Sequence, residues 1–175
     1  DRTDAPVSLY AATKKSNELM CQTYAHLYRL PITGFRFFTV YGPWGRPDMA
    51  YFKFADAIMS GTPIEIYNHG QMERDFTYID DIVDGICAAV TSPALSASDA
   101  TPHRVYNLGN HRPEKLLDLV EILEKALGKN AEKIFLPMQP GDVISTFADI
   151  APAAADYGFS PSTSLSQGIE RFADW

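Results

Sequence analysis

The sequence has few cysteines, no excess of basic residues and no long apolar run. Its two cysteines, Cys21 and Cys87, lie in separate apolar, helix-like segments, and we expect both to be buried free thiols in a reducing compartment. The formal net charge is −7 and lysine and arginine form no block, which argues against binding to nucleic acid or to anionic membranes. Because we find neither a signal peptide nor a long apolar segment, we expect a cytoplasmic location.

Two kinds of cofactor motif are also missing. The four histidines are scattered, so no Cys/His cluster has the spacing of metal ligands, and we expect no metal. The only candidate for a glycine-rich dinucleotide turn is the segment from Gly42 to Gly45, which contains Pro43 and is followed by Pro47. Such a segment does not begin a helix, as a dinucleotide fingerprint must. We therefore expect the N-terminal dinucleotide-binding half of a doubly wound fold to be absent.

The sequence does contain alternating helical and extended patterns. A helical pattern begins after Pro6 and stops at Pro31, and the run that follows, ITGFRFFTVYG, is typical of one buried strand, central in a parallel sheet. A second helix should end at Gly61, and PEKLLDLVEILEKALG should be a helix with Pro113 near its start and Gly128 just past its end. This alternation predicts an α/β protein with a mostly parallel sheet.

Two pairs of polar residues are candidates for chemistry. Tyr10 and Lys14 are four residues apart on the first predicted helix, so both side chains can reach one pocket. A nearby ammonium stabilises a phenolate, which would let the tyrosine act as a base, although this spacing also occurs on helices where tyrosine is packed and lysine solvated. Asp80 and Asp81 lie at the start of another predicted helix, where we expect them to complement its dipole rather than to act in catalysis.

Several longer motifs occur in a fixed order. They are SLYAATKKSNELM, RFFTVYGPWGRPDMA, YNHGQMERDFTYIDDIV and QPGD. Together they resemble the extended short-chain dehydrogenase/reductase family, and among its NAD-dependent epimerases and dehydratases they look most like the UDP-glucuronate 4-epimerases. The resemblance covers essentially the whole chain. It implies NAD as cofactor and epimerisation at C4 of a UDP-sugar through a 4-keto intermediate, with UDP-glucuronate as the first choice of substrate.

Three alternatives stay open beside this first choice. The motifs also fit a UDP-glucose 4-epimerase or a UDP-glucuronate decarboxylase, both of which share them. A third reading, from a different class, is an inactive nucleotide-sugar-binding fragment, because the cofactor-binding half is missing.

The resemblance also implies roles at the reacting end of the site. Tyr10 would be the catalytic base, Lys14 would hold the nicotinamide ribose, and the backbone of Phe37 would meet the nicotinamide carboxamide. Thr39 stands where neutral-sugar relatives commonly have asparagine, and its hydroxyl could donate to the carboxylate of a uronic acid. A β-branched residue is also ordinary in a strand, so Thr39 has a structural explanation as well.

At the nucleotide end, the resemblance implies four further contacts. Arg74 would bind the diphosphate, Arg46 would be a second contact to phosphate or sugar, Tyr67 would lie against uracil, and Asp142 would bind the uridine ribose. The alternative for Arg74 is a surface charge beside its neighbour Asp75. Many relatives have arginine where this sequence has Gln139, so one phosphate contact is expected to be missing or supplied by Arg46.

The expected architecture is the C-terminal part of a Rossmann-like doubly wound parallel sheet, interleaved with a small α/β substrate-binding domain. Residues 1–47 would belong to the Rossmann domain, 48–77 to the substrate-binding part, 78–111 again to the Rossmann sheet, and 112–175 to the nucleotide-sugar-binding domain. Relatives of full length usually dimerise through the helix that bears Tyr10, so a homodimer is expected for the full-length protein.

Overall fold

The computed structural model describes residues 3–91, 101–139 and 141–175. Within these residues the chain alternates between helices and short strands. In chain order they are α1 (Leu9–Tyr28), β1 (Ile32–Phe37), β2 (Thr39–Tyr41), α2 (Ala50–Ser60), β3 (Ile64–Ile66), a 3₁₀ turn (Tyr67–Gly70), β4 (Glu73–Tyr78), α3 (Ile79–Thr91), β5 (His103–Leu108), β6 (Pro113–Lys115), α4 (Leu116–Leu127), β7 (Lys133–Phe135), α5 (Ala151–Tyr157) and α6 (Leu165–Asp174).

The strands pair mainly in parallel, which confirms the predicted α/β class. β1 pairs with β5, β2 with β4 and β3 with β7, each in parallel. The one antiparallel pair among the described residues joins β4 to β6. Parallel pairs require a crossover connection, and here α2, α3 and α4 lie in those crossovers.

The aromatic run after α1 forms two strands, so the prediction of one central, buried strand was wrong. Phe38 interrupts the run: its amide donates to the carbonyl of Leu108 at 3.3 Å, and its carbonyl accepts from the amide of Val40 at 3.0 Å. The chain thereby leaves β5 and joins β4. β1 is half-buried rather than buried, since β5 is its one partner strand among the described residues.

Helix boundaries follow local sequence signals, with one exception. Ser8 caps α1 by accepting a hydrogen bond from the amide of Ala11 at 3.1 Å. Gly61 and Gly128 end α2 and α4 in the left-handed conformation, as predicted. Pro113, in contrast, begins β6 instead of lying near the start of α4, because residues 113–115 pair with β4 before the helix begins.

Two apolar clusters form the core. The larger one joins α2, α4 and α6 to β2, β3 and β4, with fully buried residues such as Tyr51, Leu119 and Ile169. The smaller one packs α3 and α5 against β5 around Leu108 and Phe159. None of these contacts decides the predicted domain boundaries, which stay a prediction.

The two cysteines are more exposed than the sequence predicted. Both are free thiols, but Cys87 is exposed and Cys21 only half-buried, because Cys87 lies on the side of α3 turned away from the core residues Ile82 and Gly85. Within the three described ranges, no helix has the length and apolar character needed to cross a membrane.

Candidate active site

The predicted substrate residues line one cavity of about 780 Å³ beside α2, which we call the α2 cavity. They come from four separate parts of the chain: the start of β2, the loop before α2, the strands β3 and β4 with the turn between them, and the segment after β7. All five predicted residues line this cavity: Thr39, Arg46, Tyr67, Arg74 and Asp142. The fold thus brings together residues up to 103 positions apart in the sequence (142 − 39 = 103).

Arg74 is held firmly at the wall of the α2 cavity. One Nη donates to Asp142 Oδ1 at 2.8 Å, and the other donates to the carbonyls of Glu73 at 2.8 Å and Ile144 at 3.2 Å. Its side chain is 16% exposed. The ion-pair partner of Arg74 is thus Asp142 and not its neighbour Asp75, while the binding of a phosphate by Arg74 stays a prediction. A guanidinium fixed in this way can still present its remaining N–H groups to a phosphate.

Arg46 lies at the open side of the cavity. It makes a bidentate pair with Asp48, with Nε and Nη2 at 3.1 and 2.8 Å from the two carboxylate oxygens. The hydrogen bonds from Arg46 lower the pKa of Asp48. Both side chains are largely exposed, so the guanidinium can turn toward a ligand at little cost. The loop itself is constrained: Gly45 leaves no room for a Cβ because the hydroxyl of Tyr51 occupies that position.

The far end of the α2 cavity carries an acid–phenol pair. The hydroxyl of Tyr67 donates to Glu65 Oε2 at 2.8 Å, and this hydrogen bond raises the pKa of Tyr67. Gln139, which replaces the arginine of many relatives, also lines the cavity. A flat ring beside amide and carboxylate groups is suited to a heterocyclic base, which has both an apolar face and hydrogen-bonding edges.

Sequence reasoning missed three charged residues of this cavity, Asp48, Lys53 and Glu65. Lys53 could have been found from the helical period, since Ala50 and Ala57, three residues before and four after it, line the same cavity. Glu65 is the outward-facing residue of β3, between two buried isoleucines. Strand alternation could have indicated its exposure, but not the cavity that it faces.

The predicted catalytic and cofactor residues line a second cavity of about 770 Å³, which we call the α1 cavity. Tyr10, Lys14 and Phe37 all line it. Lys14 Nζ lies 5.2 Å from the centre of the Tyr10 ring, a cation–π distance that keeps the two side chains together in the cavity. Tyr10 is 69% exposed and can therefore contact a ligand in the cavity.

The strand break separates residues that line different cavities. Phe37 ends β1 and lines the α1 cavity, whereas Thr39 begins β2 and lines the α2 cavity. Residues only two positions apart in the sequence therefore line different cavities.

An ion pair that lines this cavity fastens α1 to β1. Arg36 donates to both oxygens of Glu18, from Nε to Oε1 at 2.6 Å and from Nη2 to Oε2 at 2.8 Å. Lys15 lies 3.5 Å from Glu18 Oε2. The hydrogen bonds from Arg36 lower the pKa of Glu18 below its ordinary value of 4.5, against the opposite effect of partial burial. The pair sets the distance between the helix that bears Tyr10 and the strand that bears Phe37.

This pair makes the stability of the fold depend on pH in the acid range. Because the pKa of Glu18 is lower in the folded chain than in the unfolded one, its contribution is complete above pH 4.5 and is lost as the pH falls through the folded value. We expect thermal midpoints of wild type and Glu18→Gln to differ most near about pH 6 and to converge toward about pH 3. Glu121→Gln, an exposed change on α4, controls for removal of a charge. A constant gap between wild type and Glu18→Gln would contradict the assignment.

No metal centre is evident in the described part of the chain: no three His, Cys, Asp or Glu side chains in it lie close enough together to hold an ion.

Comparison with protein families gives a match over most of the chain. The model of the NAD dependent epimerase/dehydratase family matches residues 1–109. A probable UDP-glucuronate 4-epimerase of Rhizobium meliloti is 52% identical over 186 residues, covering 100% of this chain and 55% of the relative. UDP-glucuronate 4-epimerase 1 of Arabidopsis thaliana is 50% identical over 185 residues, covering 100% of this chain and 43% of the relative.

Solved structures give the same picture. The crystal structure of the UDP-glucuronic acid 4-epimerase of Bacillus cereus, in complex with UDP-glucuronic acid and NAD, superposes with a TM-score of 0.88 at 39% identity. The match covers 97% of this chain and 52% of that one. This chain therefore spans about half the length of the relatives that it matches, and its fold corresponds to part of a Rossmann-like enzyme.

Proposed function

The chain belongs to the NAD-dependent epimerase/dehydratase family, and on that premise we propose that it is part of an enzyme that converts UDP-glucuronate to UDP-galacturonate by epimerisation at C4, with NAD as cofactor. The observation that carries the proposal is the division of the candidate residues between two cavities. Three reactive or cofactor residues line one, and five substrate residues line the other.

In the α1 cavity, Tyr10 takes the proton from the sugar 4-hydroxyl. Lys14, whose ammonium lies over the Tyr10 ring, would hold the nicotinamide ribose, while the backbone of Phe37 would meet the carboxamide. The cavity fits such a group, since it is open, has an apolar wall at Phe37 and presents an ammonium beside the phenol. Bound NAD supplies the redox chemistry, as acceptor of hydride from C4 and then as its donor to the opposite face.

Thr39 supports a uronate as the substrate. A 4-keto uronate is a β-keto acid, which loses carbon dioxide when its C5–C6 bond stands perpendicular to the ketone plane. An epimerase must hold the carboxylate away from that alignment. Thr39 lines the α2 cavity, two residues after Phe37 of the α1 cavity, and its hydroxyl can donate a hydrogen bond to the carboxylate.

In the α2 cavity, the remaining residues would bind UDP. Arg74 and Arg46 contact the diphosphate, Asp142 the ribose hydroxyls and Tyr67 the uracil ring. Lys53 is a further cation on the cavity wall, and it can replace the phosphate contact that is lost where Gln139 stands in place of arginine.

Product analysis tests the proposal. The protein expressed from its complete coding sequence is incubated with UDP-glucuronate and NAD, and the nucleotide sugars are separated. We expect UDP-galacturonate as the product, without net reduction of NAD. UDP-xylose would instead indicate the decarboxylase, and turnover of UDP-glucose alone would indicate the neutral-sugar epimerase. Either result would contradict the uronate assignment.

A second candidate function is nucleotide-sugar binding without turnover by the 175-residue chain itself. It is favoured by the division of the candidates, because all five substrate residues lie on this chain while no dinucleotide fingerprint does. In the same assay the chain alone should form no product, and calorimetry should show that it binds UDP. Rapid epimerisation by this chain alone would contradict the binding-only function.

We also propose a cytoplasmic homodimer. The two free thiols suit a reducing compartment. Along α1, four large apolar residues are between 55% and 63% exposed and can serve as a subunit contact: Met20, Tyr24, Leu27 and Tyr28.

A further inference from the structure

The side chain of Asp75 is the most enclosed carboxylate in the described part of the chain. It follows Arg74 on β4 and is 0% exposed. Four donors surround it: the amides of Asn110 at 2.6 Å, His111 at 3.0 Å and Ala148 at 3.0 Å, and the hydroxyl of Thr77 at 3.1 Å. A buried carboxylate is tolerated when hydrogen bonds replace its hydration, and these four donors replace it here.

The amide of Ala148 belongs to a segment that also carries Asp142. We call residues 142–148 the strap. The strap runs along β4: the amide of Glu73 donates to the carbonyl of Ile144 at 2.8 Å, and Thr146 Oγ1 accepts from the amide of Asp75 at 3.1 Å. At its near end, Asp142 pairs with Arg74. Asp75 therefore holds the far end of the same segment whose near end forms the wall of the α2 cavity.

The other two amides tie the strap to the end of β5. Asn110 and His111 follow Gly109, and a Cβ on that glycine would collide with the Cβ of Ala148 and lie 3.1–3.2 Å from the carboxylate oxygens of Asp75. The close approach of β5 to the strap thus depends on glycine at this position. One carboxylate links three elements: β4, the loop after β5 and the strap.

From these contacts we propose that Asp75 is a positioning residue for nucleotide binding: it fixes the strap on β4 so that Asp142 stands opposite Arg74 at the α2 cavity. This inference rests on the proposed function, because it assigns Asp75 to the UDP end of that site. Asp75 does not itself line the cavity, so its influence on the ligand passes through Asp142.

A double-mutant cycle on UDP affinity tests the inference. UDP is titrated by calorimetry into the wild-type chain, Asp75→Asn, Asp142→Ala and the double variant. Asp75→Asn places an N–H₂ group among backbone N–H donors, so the strap should loosen and the dissociation constant for UDP should rise about tenfold. In the Asp142→Ala background the same change should have less than about a twofold effect. Equal effects in both backgrounds would overturn the inference.

A matched control separates positioning from general destabilisation. Asp81 is another buried carboxylate, 8% exposed, that accepts backbone amides, here from Ser162 at 3.2 Å and Thr163 at 3.1 Å. It does not line the α2 cavity. Asp81→Asn should lower the thermal midpoint and leave the UDP dissociation constant unchanged. If it weakens UDP binding as much as Asp75→Asn does, the role of Asp75 is structural only.

A second variant guards against failure of Asp75→Asn to fold. Gly109→Ala keeps the carboxylate and pushes the strap away from β5, so it should weaken UDP binding through the same route. In both variants, hydrogen exchange at the amides of Thr146 and Ala148 should accelerate relative to wild type and to Asp81→Asn. Protection unchanged in both variants would overturn the inference. Failure of the wild-type chain to bind UDP would instead overturn the proposed function, and with it the ligand role assigned to the strap.

Discussion

Replacing Tyr10 by phenylalanine is expected to lower kcat for epimerisation by about two to four powers of ten, the usual contribution of a general base. The phenylalanine ring preserves packing on α1, so the loss comes from the missing phenol oxygen. Without it, no group of this chain at that position takes the proton from the 4-hydroxyl. The Michaelis constant should change little, because the nucleotide is bound mainly in the α2 cavity. The assay is UDP-galacturonate formation by protein expressed from its complete coding sequence.

Tyr24→Phe is the matched control for this change. It removes the same atom from the same helix, at a residue that does not line the α1 cavity and is 55% exposed. We expect wild-type kcat for it. An undiminished rate in Tyr10→Phe would exclude the phenol as the base, and an equal loss in both variants would point to damage to α1 instead of to catalysis.

Replacing Arg74 by methionine is expected to weaken UDP binding about 100-fold. Arg74 is a charged, mostly buried donor, and loss of one partner from such a contact typically costs a few kcal/mol. Its removal also leaves Asp142 without a cation at the cavity wall, which adds repulsion toward the diphosphate. Arg74→Lys retains the charge but not the planar set of donors, so its affinity should fall between those of wild type and methionine.

Arg104→Met controls for loss of an ion pair. Arg104 binds Asp156 at 2.9 Å, a pair of nearly the same length as Arg74–Asp142 at 2.8 Å, but it lies outside the α2 cavity. UDP titration should give wild-type affinity for this control. If Arg74→Met binds UDP as tightly as wild type, the diphosphate does not lie at Arg74, and the assignment of the α2 cavity to UDP is wrong.

Local signals in the sequence predicted most of the secondary structure. Gly61 and Gly128 mark helix ends because the left-handed conformation is readily available to glycine, and Ser8 marks a helix start because its hydroxyl can bond a free amide. The errors have one cause. At Phe38 and Pro113 the outcome depends on which strand lies alongside, and strand partners are distant in the sequence.

The candidate site divides in the same way. The order of motifs indicated which residues belong to the site, and the four-residue spacing of Tyr10 and Lys14 was enough to place them on one helix face. The sequence could not indicate that Arg74 pairs with Asp142, 68 residues away, or that Asp75 accepts hydrogen bonds from amides 35 to 73 positions distant. For the same reason, the sequence suggested Asp75, the next residue, as the charge nearest to Arg74. It gave no sign that the carboxylate of Asp75 accepts amides of distant residues.

The sequence alone therefore determined the class of fold through its alternating patterns, and it determined the glycine-marked helix ends and the placement of Tyr10 and Lys14 on one face of α1, because these last two depend on residues within about one helical turn. The tertiary structure decided which charges meet, where the strand changes partner and how the strap is held at the cavity. Those features depend on loop closure and strand pairing, which bring distant residues into contact only after the whole chain has folded.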